Sequence, residues 1–281
     1  MHFGITMFAT DLTMSVHELA RAAEERGLHS LYIPEHTHIP TSRLTPPPTG
    51  DGKLAEEYSR TVDPFVALGA AAAVTERIRL GTGICVVAQR DPLVTAKAVA
   101  TLDQISNGRV ELGVGFGWNR DEIEHHGVDF ATRRDLAREH VLAMKALWTH
   151  DVAEFQGDLV HFGPSWAWPK PVQTGGPPVL FGGTPGPKLF AHIAEYGDGW
   201  IPIGGAGVRA ALPDLHRACD TAGRDPAALR VVPFGTLPDP GKLDYYASIG
   251  IDEVVLRVPG GDANTVTPVL DEYATLVEAS T

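Results

Sequence analysis

The chain has 281 residues, 43% of them hydrophobic and 21% charged, an ordinary globular balance that argues against disorder. Its 23 basic and 35 acidic side chains leave a formal charge of −12, which argues against a nucleic-acid or anionic-membrane surface. Two cysteines, Cys85 and Cys219, are too few for a disulfide framework and fit a reducing cytoplasm; no apolar run approaches the roughly 18 residues of a membrane span.

In chain order, residues 1–7 (MHFGITM) alternate as a first strand, with no secretory leader ahead of it. Ser15 and Glu18 form a capping-box pattern, opening a helix with Val16, Leu19, Ala20 and Ala23 on one face and Gly27 at its end. Residues 30–34 (SLYIP) make the second strand. From Glu35 to about Arg60 periodicity is lost among Pro46, Pro47, Pro48, Gly50 and Gly52, as in a lid or binding loop. Asp63-Pro64 starts the next helix. Residues 77–87 (RIRLGTGICVV) form a third strand, whose internal Gly81-Thr82-Gly83 suggests a bulge that pushes backbone inward. Asp91 caps a helix with Pro92 in its first turn, ending near Asn107-Gly108.

Residues 109–118 (RVELGVGFGW) are the stretch around which the chain is organised. Val110, Leu112 and Val114 alternate, and Gly113, Gly115 and Gly117 then leave bare backbone for something to approach closely. Thr132 to Asp135 repeats the capping-box pattern, followed by Ala137, Val141, Met144 and Trp148 as a buried helical face. Residues 154–163 read as a small hairpin around Gly157. Residues 178–181 (PVLF) run into Gly182-Gly183-Thr184 and a helix to about Tyr196. Residues 199–203 (GWIPI) precede a helix striped by Val208, Ala211, Leu212, Leu215 and Cys219. Strands at 230–234 and 253–258 flank a short helix at 242–248, and Val266, Val269, Leu270, Tyr273 and Val277 close the chain as a helix.

Eight strand-then-helix units without a composition break imply one α/β domain over residues 1–281, a (β/α)8 barrel. Such barrels keep their chemistry at the C-terminal ends of the strands, so the wall is readable from sequence. It comprises Met7 and Phe8; Glu35, His36 and His38; Gly83, Ile84, Cys85 and Gln89; Gly115 to Asn119; Gly182 to Thr184; Ile203 to Gly205; Phe234; and Arg257. Rich in glycine and apolar groups and poor in carboxylates, this wall suits a large flat cofactor better than a hydrolytic centre. His36 is the proton-transfer candidate, against the alternative of a surface histidine at the root of a loop. Glu35 either orients it or faces water. Gly182-Gly183-Thr184 before a helix start has the composition of a phosphate cradle or of an ordinary turn. Phe8, Trp118 and Asn119 are candidates for walling a ring. His36-x-His38 lacks further ligands at the ends of later strands, so no metal is expected.

Several of these stretches resemble the luciferase-like flavin and deazaflavin oxidoreductases: IPEH at 33–36, RLGTGI at 79–84, DQISNGRVELGVGFGWNRDE at 103–122, FGGT at 181–184 and GDGWI at 197–201. The GVGFGWNRDE ending is most similar to the coenzyme F-420-dependent branch. The resemblance implies the barrel and a hydride transfer between the deazaflavin and a small organic substrate. It further implies His36 beside the reactive ring carbon, a non-proline cis peptide at Gly83-Ile84 bracing the ring, and phosphate binding at Gly182, Gly183 and Thr184. Gly115 and Gly117 would leave room for the cofactor tail. Two departures stand out: Trp118 occupies the place of an acid used by some relatives, and Phe116 replaces the arginine with which luciferase proper grips flavin phosphate. An FMN-dependent monooxygenase fed by a partner reductase, or a non-catalytic flavin-binding protein, are the alternatives within the fold. A homodimer is the assembly the relatives suggest.

Overall fold

The alternating strand and helix patterns close into a parallel barrel. The computed structural model describes residues 1–41, 43–47, 52–205 and 207–279. Its first half contains β1 (His2–Thr6), α1 (Val16–Glu25), β2 (Ser30–Ile33), α2 (Pro64–Ala72), β3 (Arg79–Thr82), β4 (Cys85–Val86), α3 (Pro92–Ser106), β5 (Val110–Gly115), α4 (Arg120–His125) and α5 (Arg133–Thr149). There follow β6 (Ala153–Gln156), β7 (His161–Ser165), β8 (Val179–Gly182), α6 (Pro187–Tyr196), β9 (Gly199–Ile201) and α7 (Val208–Thr221). The chain ends with β10 (Arg230–Val231), β11 (Phe234–Thr236), α8 (Pro240–Ser248), β12 (Glu253–Arg257) and α9 (Ala263–Ala279).

All barrel pairings are parallel, in the order β10-β9-β8-β5-β3-β2-β1-β12-β11, with β4 also on β5. Two staves are broken. The third is β3 plus β4, interrupted by a cis peptide at Gly83-Ile84. The seventh is β10 plus β11, interrupted at Pro233, whose nitrogen has no hydrogen to donate. That seventh stave still touches both neighbours: Val232 and Phe234 N–H donate to Trp200 and Pro202 O at 2.9 and 3.0 Å, and Val255 N–H donates to Pro233 O at 2.9 Å. The ring of eight staves is thereby closed.

Local chemistry explains four of the helix starts. Asp63, Asp91 and Asp239 each accept from first-turn N–H groups, with proline next in sequence. The Ser15–Glu18 capping box is made, and the four predicted residues of α1 are buried. The second expected box is not. Thr132 has helical backbone angles and its hydroxyl donates to Asp129 O, so its side chain caps nothing. The hairpin is present as β6 and β7, antiparallel. Pro48 and Gly50 of the long loop lie outside the described residues; the remainder of that loop is irregular apart from a 3-10 turn at Glu56–Ser59. Among the described residues no helix is long and apolar enough to cross a membrane, and both cysteines are free and buried.

Candidate active site

At the C-terminal end of the barrel lies a cleft of about 560 Å³. Of the wall residues expected from the sequence, Met7, His38, Cys85, Gln89, Gly204, Gly205, Phe234 and Arg257 fall outside its lining, while Phe8, Glu35, His36, Gly83, Ile84, Gly115, Phe116, Gly117, Trp118, Gly182, Gly183, Thr184 and Ile203 line it. Asn119 does not. It is 1% exposed at the N-cap of α4, and neither its Oδ1 nor its Nδ2 has a hydrogen-bond partner.

The floor is set by the broken third stave. A Cβ on Gly115 would stand 2.5 Å from Ile84 Cδ1, and one on Gly182 would stand 2.8 Å from Ile84 Cγ2. Both glycines therefore admit the Ile84 side chain, and a ligand above would meet Ile84 itself. Gly117 has φ +72° and a Cβ there would meet Ile123 at 2.6 Å, so its space is likewise taken from within the chain. Behind the bulge, Glu35 neither orients His36 nor faces water. Its carboxylate accepts from Val86 N–H at 2.8 Å and from Arg90 Nε at 2.6 Å, and Arg90 also reaches Asp63 at 2.7 Å. The buried carboxylate thus ties the segment just after the cis peptide to the start of α2. Burial, together with Glu35, pushes the Cys85 thiol well up, which leaves it a packing group.

His36 has a partner that the sequence did not indicate. Its Nδ1 lies 2.8 Å from Glu122 Oε2, with Glu122 buried and the His36 side chain 9% exposed. Asn119 and Glu122 are the N-cap and N3 residues of α4, an Asn-x-x-Glu pattern able to form a reciprocal cap, yet the Asn119 side chain caps nothing and Glu122 turns to His36 instead. Glu122 Oε1 has no partner. Local helix chemistry has been given up for a contact 86 residues away. His38 does not join His36. It pairs with His125 at 2.9 Å, while Thr37 bonds His126 at 2.7 Å, Leu44 N–H donates to Asp121 at 2.9 Å and Arg120 N–H donates to Thr45 at 3.1 Å. The loop after β2 is seated on α4 through these contacts.

The opposite side of the cleft is cationic. Arg133 and Arg134, in the first turn of α5, both line it. Arg134 lies over the Phe116 ring at 4.2 Å, and its buried Nη1 has no partner. Arg133 is held by Phe130 O at 2.5 Å and Gly117 O at 3.3 Å. Burial lowers the pKa of both arginines. Arg134 of α5 thus places a cation against Phe116, the position at which the sequence resemblance points to a missing arginine. A sequence signal existed: two cations in a helix's first turn oppose its dipole and call for a reason. Glu122, Tyr58, Arg133 and Arg134 are the charged and aromatic lining residues absent from the wall expected from sequence.

A second cavity of about 630 Å³ lies at the other end of the barrel, lined by His2, His29, Arg79, Arg230 and Glu253 among others. There Glu111 binds Arg79 and Tyr32 and lies 2.7 Å from Arg230, which also binds Glu253; Ser30 Oγ donates to Glu253 at 2.6 Å. Burial and the neighbouring Glu111 push the Glu253 carboxyl up to about 7, whereas Arg230 and Arg79 hold Glu111 down despite its burial. Every charge in this plug is paired.

An uncharacterized protein of Mycobacterium tuberculosis is 43% identical over 98% of both chains. A phthiodiolone/phenolphthiodiolone dimycocerosates ketoreductase of Mycobacterium kansasii is 30% identical, over 85% of this chain and 68% of that protein. Two solved structures share the fold over the full length of both chains: a monooxygenase from Streptomyces bottropensis (TM-score 0.80, 22% identity) and an F-420-dependent secondary alcohol dehydrogenase with an F-420–acetone adduct (TM-score 0.77, 20% identity). The luciferase-like monooxygenase family model matches residues 9–237, and the chain belongs to that family.

Proposed function

We propose that the chain is a single barrel domain that acts as a coenzyme F-420-dependent oxidoreductase, interconverting a secondary alcohol and its ketone. The observation that carries this reading is the part-buried His36–Glu122 pair on the cleft wall, 2.8 Å apart, formed at the expense of a helix cap.

The cleft's residues fit a flavin-sized group with an anionic tail. Ile84 offers an apolar floor, Gly182-Gly183-Thr184 edge the cleft, and Arg134 Nη1 is a buried cation donor with no partner among the described residues. A buried donor left unpaired is costly, and a phosphate or carboxylate would satisfy it. A bound deazaflavin supplies a two-electron hydride acceptor or donor. The chain's own part is the proton. When the carbinol C–H departs as hydride, the hydroxyl proton passes to His36 Nε2, the ring nitrogen left after Nδ1 has bonded Glu122, and a C=O bond forms. In reduction His36 returns that proton to the oxygen. Glu122 fixes the ring's orientation and balances the imidazolium.

The likeness to an alcohol dehydrogenase and a ketoreductase supports the substrate class, and the GVGFGWNRDE motif supports the deazaflavin. One observation favours a second reading: Arg134 restores a cation near Phe116, where an FMN phosphate could be held. That enzyme would be a monooxygenase receiving reduced FMN from a separate reductase. Titration of the purified protein with F-420 and with FMN separates the two. F-420 binding with weak or no FMN binding is expected; tight FMN binding without F-420 binding would overturn the proposal.

A further inference from the structure

Around His36 the cleft has a distinct lining. Phe8 follows β1, Tyr58 comes from the 3-10 turn of the long loop, and Trp118 follows β5. Their rings form one connected wall: Phe8 to Tyr58 at 4.8 Å, Tyr58 to Trp118 at 6.3 Å, and His36 within 5.3 Å of Tyr58 and 6.0 Å of Trp118. Burial and Glu57 raise the Tyr58 pKa, so its phenol stays neutral.

Among the described residues, the charges near this wall are engaged by other groups, apart from the buried Oε1 of Glu122. Glu35 is held by Arg90 and Val86, and Glu122 by His36. On the rim, Arg60 is paired with Asp11 at 2.8 Å and Glu56 at 2.7 Å, and Arg257 with Glu57 at 3.4 Å. Arg134 lies over the Phe116 ring, and Arg133 lies over Phe130 with its guanidinium donating to Phe130 O and Gly117 O. An anionic substrate group beside His36 would lose its hydration without meeting a free cation, which is strongly unfavourable. Aromatic faces do attract cations, but the carboxylate that would complete an ammonium site is the one bonded to His36. What the wall does offer is broad apolar faces on which a flat neutral group stacks or meets a ring edge.

We infer that the substrate is a neutral secondary alcohol or ketone with an aryl group on the reacting carbon, seated against Phe8, Tyr58 and Trp118 with its oxygen at His36. This rests on the hydride-transfer reading above. The redox balance is the same: carbinol hydride to the cofactor, hydroxyl proton to His36.

The test is anaerobic F-420 reduction by 1-phenylethanol, 2-butanol, 1-phenylethylamine and glucose 6-phosphate. It is joined by calorimetric binding of acetophenone to the F-420-loaded protein. The expected kcat/KM for 1-phenylethanol exceeds that for 2-butanol by about tenfold or more, the scale of one aromatic contact, with no turnover of the amine or the phosphate ester. Trp118→Ala and Tyr58→Ala should each weaken acetophenone binding by about tenfold and narrow the aryl preference. Should Trp118→Ala fail to fold, Trp118→Leu and the loop variant Tyr58→Ala carry the same comparison. Preference for 2-butanol, turnover of glucose 6-phosphate or of the amine, or an aryl preference unmoved in the variants would each overturn this inference. Absence of hydride transfer from any of the four, with F-420 bound and acetophenone not bound, would overturn the function proposed above as well.

Discussion

The two ends of the barrel hold similar side chains and treat them in opposite ways. At the N-terminal end, Glu111, Glu253, Arg79, Arg230, Tyr32 and Ser30 satisfy one another in a closed plug. At the C-terminal end, Arg134 Nη1, Glu122 Oε1 and both amide atoms of Asn119 are buried without partners. Fully satisfied buried networks rigidify a core, whereas unsatisfied ones are rare enough to need a reason. The cavities at the two ends are of similar size, about 630 and 560 Å³, so size does not tell them apart. Parallel barrels concentrate catalysis where the strands end, and here the unspent polar groups lie at that same end.

Substitutions that break one end should leave the other legible. The largest expected effect is Glu111→Ala, which strips Arg79, Arg230 and Tyr32 of a shared partner; removing one member of a buried ion pair typically costs about 3–5 kcal/mol. Denaturant unfolding should register that loss while the folded fraction binds cofactor as before. Loss of cofactor affinity without loss of stability would erase the distinction between the ends. Next comes Arg134→Met, which keeps the contact with Phe116 but removes the unpartnered donor. A charged hydrogen bond is worth about 1.5–3 kcal/mol, so cofactor affinity should fall roughly 10- to 100-fold with little change in unfolding midpoint.

The smallest effect is a slope. Glu253 titrates near 7 in the fold against 4.5 unfolded, so the native state holds the extra proton between those values and stability falls as pH rises from about 5 to about 7. His29, lowered to about 4 by burial and the adjacent His2, acts in the opposite sense, with stability rising from about pH 4 to 6.5. Glu253→Gln deletes only the first contribution. Thermal unfolding of the variant should therefore lose less stability than the parent between pH 5 and 7, and equal slopes would contradict the assignment.

Much of this architecture is written in local patterns. The Asp-Pro helix starts, the Ser15–Glu18 box and the apolar alternation of β5 each depend on neighbours within a few residues, so one chain suffices to read them. The cleft's glycines and His36 were legible for the same reason: they sit at strand ends. Glu122 was not. Its role depends on a partner 86 residues earlier and on a cap that it declines to make, and the residues after Trp118 gave no periodic sign of the short helix α4. Arg134 was missed because its pattern looked like a capping box, Thr132 to Asp135, when the two arginines between were the informative residues. The seventh strand was placed correctly, but its break at Pro233 follows from needing to pair with both β9 and β12 around a closed ring.

The central claim is that His36 moves a proton while a hydride crosses to a bound deazaflavin. The direct measurement is stopped-flow loss of oxidised F-420 fluorescence on anaerobic mixing with a secondary alcohol, for the parent and for His36→Gln. The account predicts reduction without oxygen in the parent, and a rate about 10²- to 10⁴-fold lower in the variant at unchanged F-420 affinity. Equal rates in the two proteins, or turnover that requires oxygen, would contradict it.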